Sequence, residues 1–414
     1  MDNLNVLFVS IAFPPKSDPE CLQTAKYFKY LAKDKSLNID VVTAHDKALF
    51  MPVDKGLEKY AKGYRQIIKV PFFENKYVNF LMRKINKDSL NYPDSKFRFA
   101  KKYQWVLKEL KNPPDIIYSR SFPISSTIMA YNLKKELQVP WVLHLSDPWT
   151  FGTLQELGSA TNWNIEMESK CFKEADALTF TSYKTIEEYK KKYPQFADKM
   201  HFFPNVYDED DKSSTNYSLG EKIKIVYTGG LIKANKRDPE YFFKAVKLFQ
   251  EQEPQMIKDF QFIFAGSLDR ESKAVFKQYM DIIPQIEYLG ELPFTEAIKL
   301  QGKADILLII DIPLDSIFFP SKLLDYILAQ KRVLAITKKD SCTYKNVNKD
   351  LGVCYEHNQT QDIANEFKYI HKQWQNKNID FFKKDNSAKE FSADYNAKKL
   401  ATLFKDICGV VYGE

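Results

Sequence analysis

At 414 residues the chain exceeds what one ordinary core holds, so two domains are expected. Hydrophobic residues at 44% and charged residues at 28% sit near globular averages, which excludes a disordered or fibrous class, and no apolar run reaches the length of a membrane-spanning helix. Five scattered cysteines, Cys21, Cys171, Cys342, Cys354 and Cys408, with no Cys-x-x-Cys pair, speak against a disulfide framework or structural zinc and for a reducing compartment, so the cytoplasm is the expected location.

In chain order, "NVLFVSIAF" is an apolar strand stopped by Pro14 and Pro15, and without a basic segment before it the start does not read as a signal peptide. A helix follows, with Asp18 as its N-cap, Pro19 at its first position and Leu22, Ala25, Phe28 and Leu31 at helical spacing. "NIDVVTA" is the second strand, so the chain opens as a right-handed parallel crossover unit. Further strands fall at "PDIIYSR", "PWVLHLSDPW", "DALTFTS" and "MHFFPNV", with helices between them.

Interrupting this pattern, Lys47 to Lys111 holds 16 Lys/Arg against 6 Asp/Glu, a local excess of +10 in a chain whose net charge is only +7. Phe72, Phe73, Tyr77, Phe80, Tyr92, Phe97, Phe99, Tyr103 and Trp105 are interleaved there. Two readings stand: solvated helices whose aromatics face a core, or a patch for an anionic membrane surface or a pyrophosphate-bearing acceptor. No nucleic-acid-binding module accompanies the charge, so nucleic acid is not an expected partner.

Residues 207–222, "YDEDDKSSTNYSLGEK", are acidic, Ser-rich and unpatterned, which marks a linker. Then the grammar restarts with "KIKIVYTGG", "DFQFIFAGS", "IEYLGEL", "DILLIIDI" and "RVLAIT" as strands, each pair separated by a helix. The expected organisation is therefore an α/β protein of two doubly wound, Rossmann-like domains, 1–206 (with a basic insert at 47–111) and 223–384. A last helical segment, 385–414, is expected to pack back on the first domain.

In open parallel sheets ligands bind beyond the carboxyl ends of the strands. There the second half offers Gly229 and Gly230 followed by Lys236 and Arg237, then Gly266 in "FAGSLDR", then Gly290 in "YLGELPF", and finally the turn "PSK" with Ser321 and Lys322 opening a helix. Helix N-termini present unpaired N–H groups and a partial positive charge, so this set suits a diphosphate. Asp325, one turn beyond Lys322, reads either as an acceptor for a pair of ribose or sugar hydroxyls or as a salt-bridge partner of Lys322.

Together, "VYTGGL...KRDPEYFFKAV", "FIFAGS", "IEYLGELPFTEAIKLQGKADILLII" and "FPSKLLDYILAQKRVLAIT" resemble the nucleotide-sugar domain of glycosyltransferase family 4, retaining enzymes of the GT-B fold. "VLFVSIAFPP", "DIIYSRSFPISSTIMA", "VPWVLHLSDPW" and "FFPNV" are similar to that family's acceptor domain, so the resemblance spans nearly the whole chain. It implies that the 1–206 and 223–384 domains face each other across a cleft. Arg237 or Lys236, with Ser321 and Lys322, would hold the donor's diphosphate; Gly229, Gly230 and Gly266 would line it; Leu289, Gly290 and Leu292 would meet the nucleobase; Asp325 would hold the ribose. On the acceptor side it implies Lys16, Ser17, His144 and Ser146, with Asp147 beside the donor sugar, although a lone strand histidine such as His144 is also an ordinary core residue. Two positions depart from the family pattern: Gly230 stands where the family has arginine, and Ile317 where an additional glutamate is usual, with Asp311 and Asp315 off register.

The implied activity is retaining transfer of a sugar from a nucleotide sugar to a hydroxyl of a glycan or lipid-linked glycan in bacterial cell-surface polysaccharide synthesis. It implies no metal and no cofactor, because Arg237, Lys322 and a helix N-terminus would carry the charge growing on the leaving diphosphate. A cytoplasmic enzyme with a lipid-linked acceptor would touch the membrane peripherally through 47–111. A nucleotide-sugar epimerase of the same fold and a non-catalytic membrane-docking scaffold are the alternatives; a nicotinamide enzyme is disfavoured, because no Gly-x-Gly-x-x-Gly follows either first strand.

Overall fold

The computed structural model describes residues 3–47, 51–151, 157–212, 217–233, 237–312, 321–384 and 389–409. The chain divides into two compact units, Met1–Val206 with Glu390–Glu414, and Tyr207–Lys389.

The first unit is built on seven strands, β1 (Leu4–Val9), β2 (Leu37–Ala44), β3 (Gln66–Val70), β4 (Ile116–Ser121), β5 (Trp141–Leu145), β6 (Ala177–Phe180) and β7 (Met200–Phe202). They pair in parallel in the order β3-β2-β1-β4-β5-β6-β7. Side chains alternate across a strand, so Leu7 and Val9 of β1 enter one core layer while Val6 and Phe8 enter the other. Both faces are covered, which explains why these strands are near-continuous apolar runs rather than alternating ones. The C-terminal helix Ala393–Ile407 supplies Ala397, Leu400, Ala401 and Phe404 to the layer that holds Tyr27 and Phe28. Truncating a fully buried phenylalanine such as Phe404 to alanine removes about 3–5 kcal/mol, so this helix is an integral part of the first unit.

The second unit carries β8 (Ile223–Thr228), β9 (Phe260–Ala265), β10 (Ile286–Tyr288), β11 (Ile306–Ile310), β12 (Arg332–Ile336) and β13 (Gly352–Tyr355), parallel in the order β10-β9-β8-β11-β12-β13. Phe260, Phe262 and Phe264, spaced by two along β9, meet Phe242, Phe249 and Phe367 from the helices Glu240–Gln252 and Thr360–Gln375, largely edge to face.

Three features differ from the sequence reading. The 47–111 stretch is not wholly an insert, because Gln66–Val70 within it forms the edge strand β3 against β2. Its mixed composition, "QIIKV", hid an edge strand that buries only part of itself. Of the 207–222 linker, the described residues belong to the second unit, where the Tyr217 hydroxyl donates to Asp305 at 2.6 Å and the Trp374 indole donates to the Gly220 carbonyl at 3.2 Å. Finally, β13 and the helix Thr360–Gln375 extend the second sheet beyond β12; β13 is half-buried throughout and gives no apolar run to read.

Each sheet reverses its order once, between β1 and β4 in the first and between β8 and β11 in the second. Such switch points splay adjacent connections apart and open a crevice at the strands' carboxyl ends.

Candidate functional site

At the second unit's switch point the loops after β8, β9 and β10 are stitched backbone to backbone. Gly229 N donates to the Ala265 carbonyl at 2.7 Å, and Gly266 N donates to the Gly290 carbonyl at 2.8 Å. Gly266 has φ +138°, and a Cβ there would lie 2.1 Å from the Gly229 oxygen, so only glycine permits this crossing. Gly229, at φ +118°, brings bare backbone against Lys322: its missing Cβ would stand 3.0 Å from both Cε and Nζ of that lysine. The Tyr227 hydroxyl donates to the Gly230 carbonyl at 3.0 Å, and the Tyr288 hydroxyl to the Gly266 carbonyl at 2.8 Å, which fixes both loops from below.

Lys322 opens the helix Ser321–Ala329 and projects over the Tyr227 ring, with Nζ 3.6 Å from its centroid. Burial holds its ammonium well below the ordinary lysine value, and the neighbouring Arg237 charge lowers it further; Asp311 and Asp325 act in the opposite direction. Arg237 is half-buried, and its N–H donates to the Ile232 carbonyl at 3.2 Å, which closes the loop after β8. Lys322 is thus held beside glycine backbone, with the Arg237 charge near it. Asp311, just past β11, is committed elsewhere: its carboxylate accepts from Thr343 at 2.7 Å, from Thr337 at 3.4 Å and from its neighbour Ile312 N at 2.9 Å. Asp325 is half-buried on the same helix as Lys322. Leu289 N is taken by the Phe264 carbonyl, and Gly290 O by Gly266, so the base contact expected around Leu289 to Leu292 falls to the remaining backbone groups of that stretch, Gly290 N among them. Lys236, Asp315 and Ile317 lie outside the described residues.

The first unit's switch point holds a different group. Arg120, near the end of β4 and with no exposed surface, donates from Nε to Glu20 at 2.9 Å, donates to the Tyr118 hydroxyl at 3.4 Å and lies 4.7 Å from the Tyr27 ring centroid. Glu20, in the first turn of the helix Pro19–Leu31, also accepts a short hydrogen bond from Ser146 and a longer one from Thr24 at 3.4 Å. Burial pushes the Glu20 carboxyl up to about 7, against the downward pull of Arg120 and Ser146. Ser146 is therefore part of this internal network, in which Arg120 Nη2 is buried without a hydrogen-bond partner among the described residues. Asp147, next to it, is exposed at its surface, although the protein packed around it pushes its carboxyl toward about 6.

Of the other acceptor-side residues, Lys16 and Ser17 lie in the loop after β1, and His144 stands opposite Arg120 across the β4–β5 pairing. Lys16 turns inward with no exposed surface, its ammonium 3.4 Å from the Phe13 carbonyl and from the Thr43 hydroxyl and 3.8 Å from Asp46; its expected outward position is corrected to an internal prop. Ser17 N donates to the Pro52 carbonyl at 2.8 Å, and the Lys16 to Val53 bridge ties this loop to the stretch after β2. His144 is a core residue: its Nδ1 pairs with Thr179 at 2.9 Å, and burial together with Arg120 holds it well below the ordinary histidine value, hence neutral.

Glu20 and Arg120 escaped the sequence reading, yet one signal was present. An arginine inside the otherwise apolar strand "IIYSRS" must be buried, and a buried charge requires a partner. The sequence does carry one Asp-x-Asp, at Asp208 to Asp210; Asp208 accepts from Asp210 N at 3.1 Å and caps a single turn. Among the described residues no group of three or more His, Cys, Asp or Glu is placed to hold a metal.

No family model matches the chain, and no curated protein matches it in sequence. Solved structures do match along its length. A glycosyltransferase from Rickettsia africae superposes with a TM-score of 0.67 at 14% identity, covering 99% of this chain and 100% of that one. HepE of Anabaena, solved in complex with UDP and glucose, gives 0.65 at 12% identity with 98% and 100% covered. A UDP-N-acetylglucosamine 2-epimerase so described from Listeria monocytogenes gives 0.65 at 12% identity with 99% and 98% covered. At these identities the likeness establishes the fold: two doubly wound α/β domains of the GT-B kind.

Proposed function

We propose that the chain is a glycosyltransferase that takes a nucleotide sugar as donor and a hydroxyl of a glycan or lipid-linked glycan as acceptor, with retention at the anomeric carbon, in cell-surface polysaccharide synthesis. The observation that carries this reading is Lys322 packed against glycine backbone at the second unit's switch point, with the Arg237 charge near enough to act on it. Burying a cation is costly unless an anion compensates it, and a diphosphate supplies the missing charge. GT-B relatives solved with UDP support the same choice of ligand.

In this mechanism the bond from the anomeric carbon to the diphosphate oxygen breaks while the bond to the acceptor oxygen forms, and the acceptor's proton leaves with the diphosphate. Negative charge grows on the departing group, where Lys322, Arg237 and the N–H groups opening Ser321–Ala329 stabilise it without reorganising. No metal is required for that step. Asp325 takes the ribose hydroxyls, backbone of the Leu289 to Leu292 stretch takes the base, and Asp147 stands beside the donor sugar, Ser146 being held by Glu20.

Thermal unfolding with UDP, GDP and ADP tests the reading. A nucleotide at about a hundredfold excess over its Kd adds about 2.7 kcal/mol to a unit of this size, a rise of roughly 5–10 °C. No rise with any nucleoside diphosphate overturns it. The Listeria neighbour gives an epimerase a specific claim. Incubating a bound UDP-sugar without acceptor decides between them: inversion of a ring carbon, followed by proton NMR, supports the epimerase, and an unchanged sugar supports the transferase.

A further inference from the structure

The basic 47–111 stretch resolves into two kinds of aromatic residue. Phe72 and Phe99 are buried in the first unit's core, and Tyr103 and Trp105 pack against it. Phe73, Tyr77 and Phe80 do the reverse, and with Leu81 and Ile85 they form a run of exposed apolar side chains, 57% exposed at Leu81 and 88% at Ile85. All but Phe73 lie on the helix Lys76–Ile85, which Asn75 caps by accepting from Tyr77 N and Val78 N and which contains no buried residue. At 100° per residue, Tyr77, Phe80, Leu81 and Ile85 fall within about 140° of arc with Lys84 among them, the half-buried Asn79 and Met82 fall on the far side, and the half-buried Val78 lies at the edge beside Ile85. The helix thus rests on the unit through its weaker face and turns its apolar face outward.

Charge chooses the occupant of that face. Lys76, Arg83, Lys84 and Lys87 are all exposed, Lys84 reaches over the Phe80 ring at 4.9 Å, and Lys76 lies beside the Tyr77 ring at 5.3 Å. A second copy meeting this patch about a two-fold axis would set cation against cation. Five side chains also fall well short of the roughly 800 Å² that each partner of a stable pair buries. An anionic lipid surface satisfies both halves of the pattern, with headgroups for the cations and the acyl boundary for the apolar stripe. No described helix is long and apolar enough to cross a membrane, so the contact is one that lies on the surface.

We propose that the Lys76–Ile85 helix is an interfacial docking element that lays Tyr77, Phe80, Leu81 and Ile85 into the headgroup boundary of an anionic leaflet. This stands apart from the nucleotide site and does not rest on the reaction proposed above. It also narrows the membrane patch from sixty-odd residues to one helix and the Phe73 that precedes it.

Co-sedimentation of the full chain with phosphatidylglycerol-containing vesicles, against phosphatidylcholine alone, tests it. The expected result is binding to the anionic vesicles only, released by salt that screens charge within about 8 Å or less. The combined variant Phe80→Ser, Leu81→Ser, Ile85→Ser should lower the partition coefficient at least about tenfold, as should Arg83→Glu with Lys84→Glu and Lys87→Glu. Both should keep the wild-type unfolding midpoint in solution, which reports the fold separately from the docking face. A single Ile85→Trp should show added fluorescence quenching by brominated anionic lipid. Binding indifferent to lipid charge, an apolar-stripe variant that binds like the wild type, or a wild-type dimer that the same variant turns into monomers overturns the proposal.

Discussion

The two switch points occupy equivalent places in their sheets and are built on opposite electrostatic plans. In the first, Arg120 is met by Glu20, and Glu20 in turn by Ser146 and Thr24, so much of the charge is answered from within the chain, although Arg120 Nη2 is buried without a hydrogen-bond partner among the described residues. In the second, Lys322 is packed on Tyr227 and a glycine backbone, and Arg237 adds to its positive field, with Asp311 and Asp325 as partial counterweights. A buried ion pair that satisfies itself is ordinarily a structural device. Two cations drawn together suit the diphosphate proposed above. The comparison teaches that fold equivalence does not carry equivalent chemistry: one crevice is organised around a buried ion pair, the other around a lysine set against glycine backbone.

The largest expected effect breaks the first plan. Glu20→Ala leaves Arg120 buried and uncompensated, which should destabilise the first unit by about 3–5 kcal/mol in urea unfolding. The pairing of Glu20→Gln with Arg120→Met should recover most of that loss. A single variant costing under about 1 kcal/mol would show that the pair is not what holds this crevice shut.

The second plan responds the other way. Lys322→Ala and Arg237→Ala should leave the unfolding midpoint near the wild type while lowering turnover at least about 10²-fold, or about 2.7–4 kcal/mol of transition-state stabilisation. Because the folded lysine value lies below the ordinary 10.5, the wild type should gain stability as pH rises between the two, where the unfolded chain holds a proton that the folded one lacks. A bound diphosphate favours the protonated lysine. Nucleotide affinity should therefore fall as pH rises through the lowered value, with proton uptake on binding seen by calorimetry in buffers of different ionisation enthalpy. Lys322→Ala should abolish both the fall and the uptake.

The smallest effect sharpens the contrast inside the second unit. Asp325→Asn should weaken nucleotide binding by about 1.5–3 kcal/mol in calorimetry, the worth of hydrogen bonds to a charged acceptor. Asp311→Asn should act on stability instead, because its carboxylate already serves Thr337, Thr343 and Ile312 N. Equal losses of affinity in both, or none at Asp325, would show that Asp325 is not the ribose site.

Much of this architecture was legible because strand and helix signals are local. β1, β4, β5, β8, β9, β11 and β12 each read as apolar runs, since both sheet faces are covered. The glycines after β8, β9 and β10 and the turn into Ser321–Ala329 also stand out in the sequence. By contrast, β3 was hidden in a basic stretch, and β13 was hidden by its half-exposure, because an edge strand does not need to be apolar on both sides. The aromatics of 47–111 could not be sorted from composition: Phe72 and Phe73 are neighbours, yet one is 5% exposed and the other 65%.

The sequence by itself determined two parallel α/β units, the strand ends where ligands meet such sheets, and the residue types that suit a diphosphate. Periodicity and turn chemistry are properties of a few consecutive residues, so they survive without the fold. Only the tertiary structure decided which charges meet. Glu20 and Arg120 are 100 residues apart, and Tyr227 and Lys322 are 95 apart; Lys16, His144 and Ser146 turned to internal partners. Whether a buried charge is answered or left waiting depends on which distant side chain the sheet order brings beside it, and that order is set by the packing of whole layers.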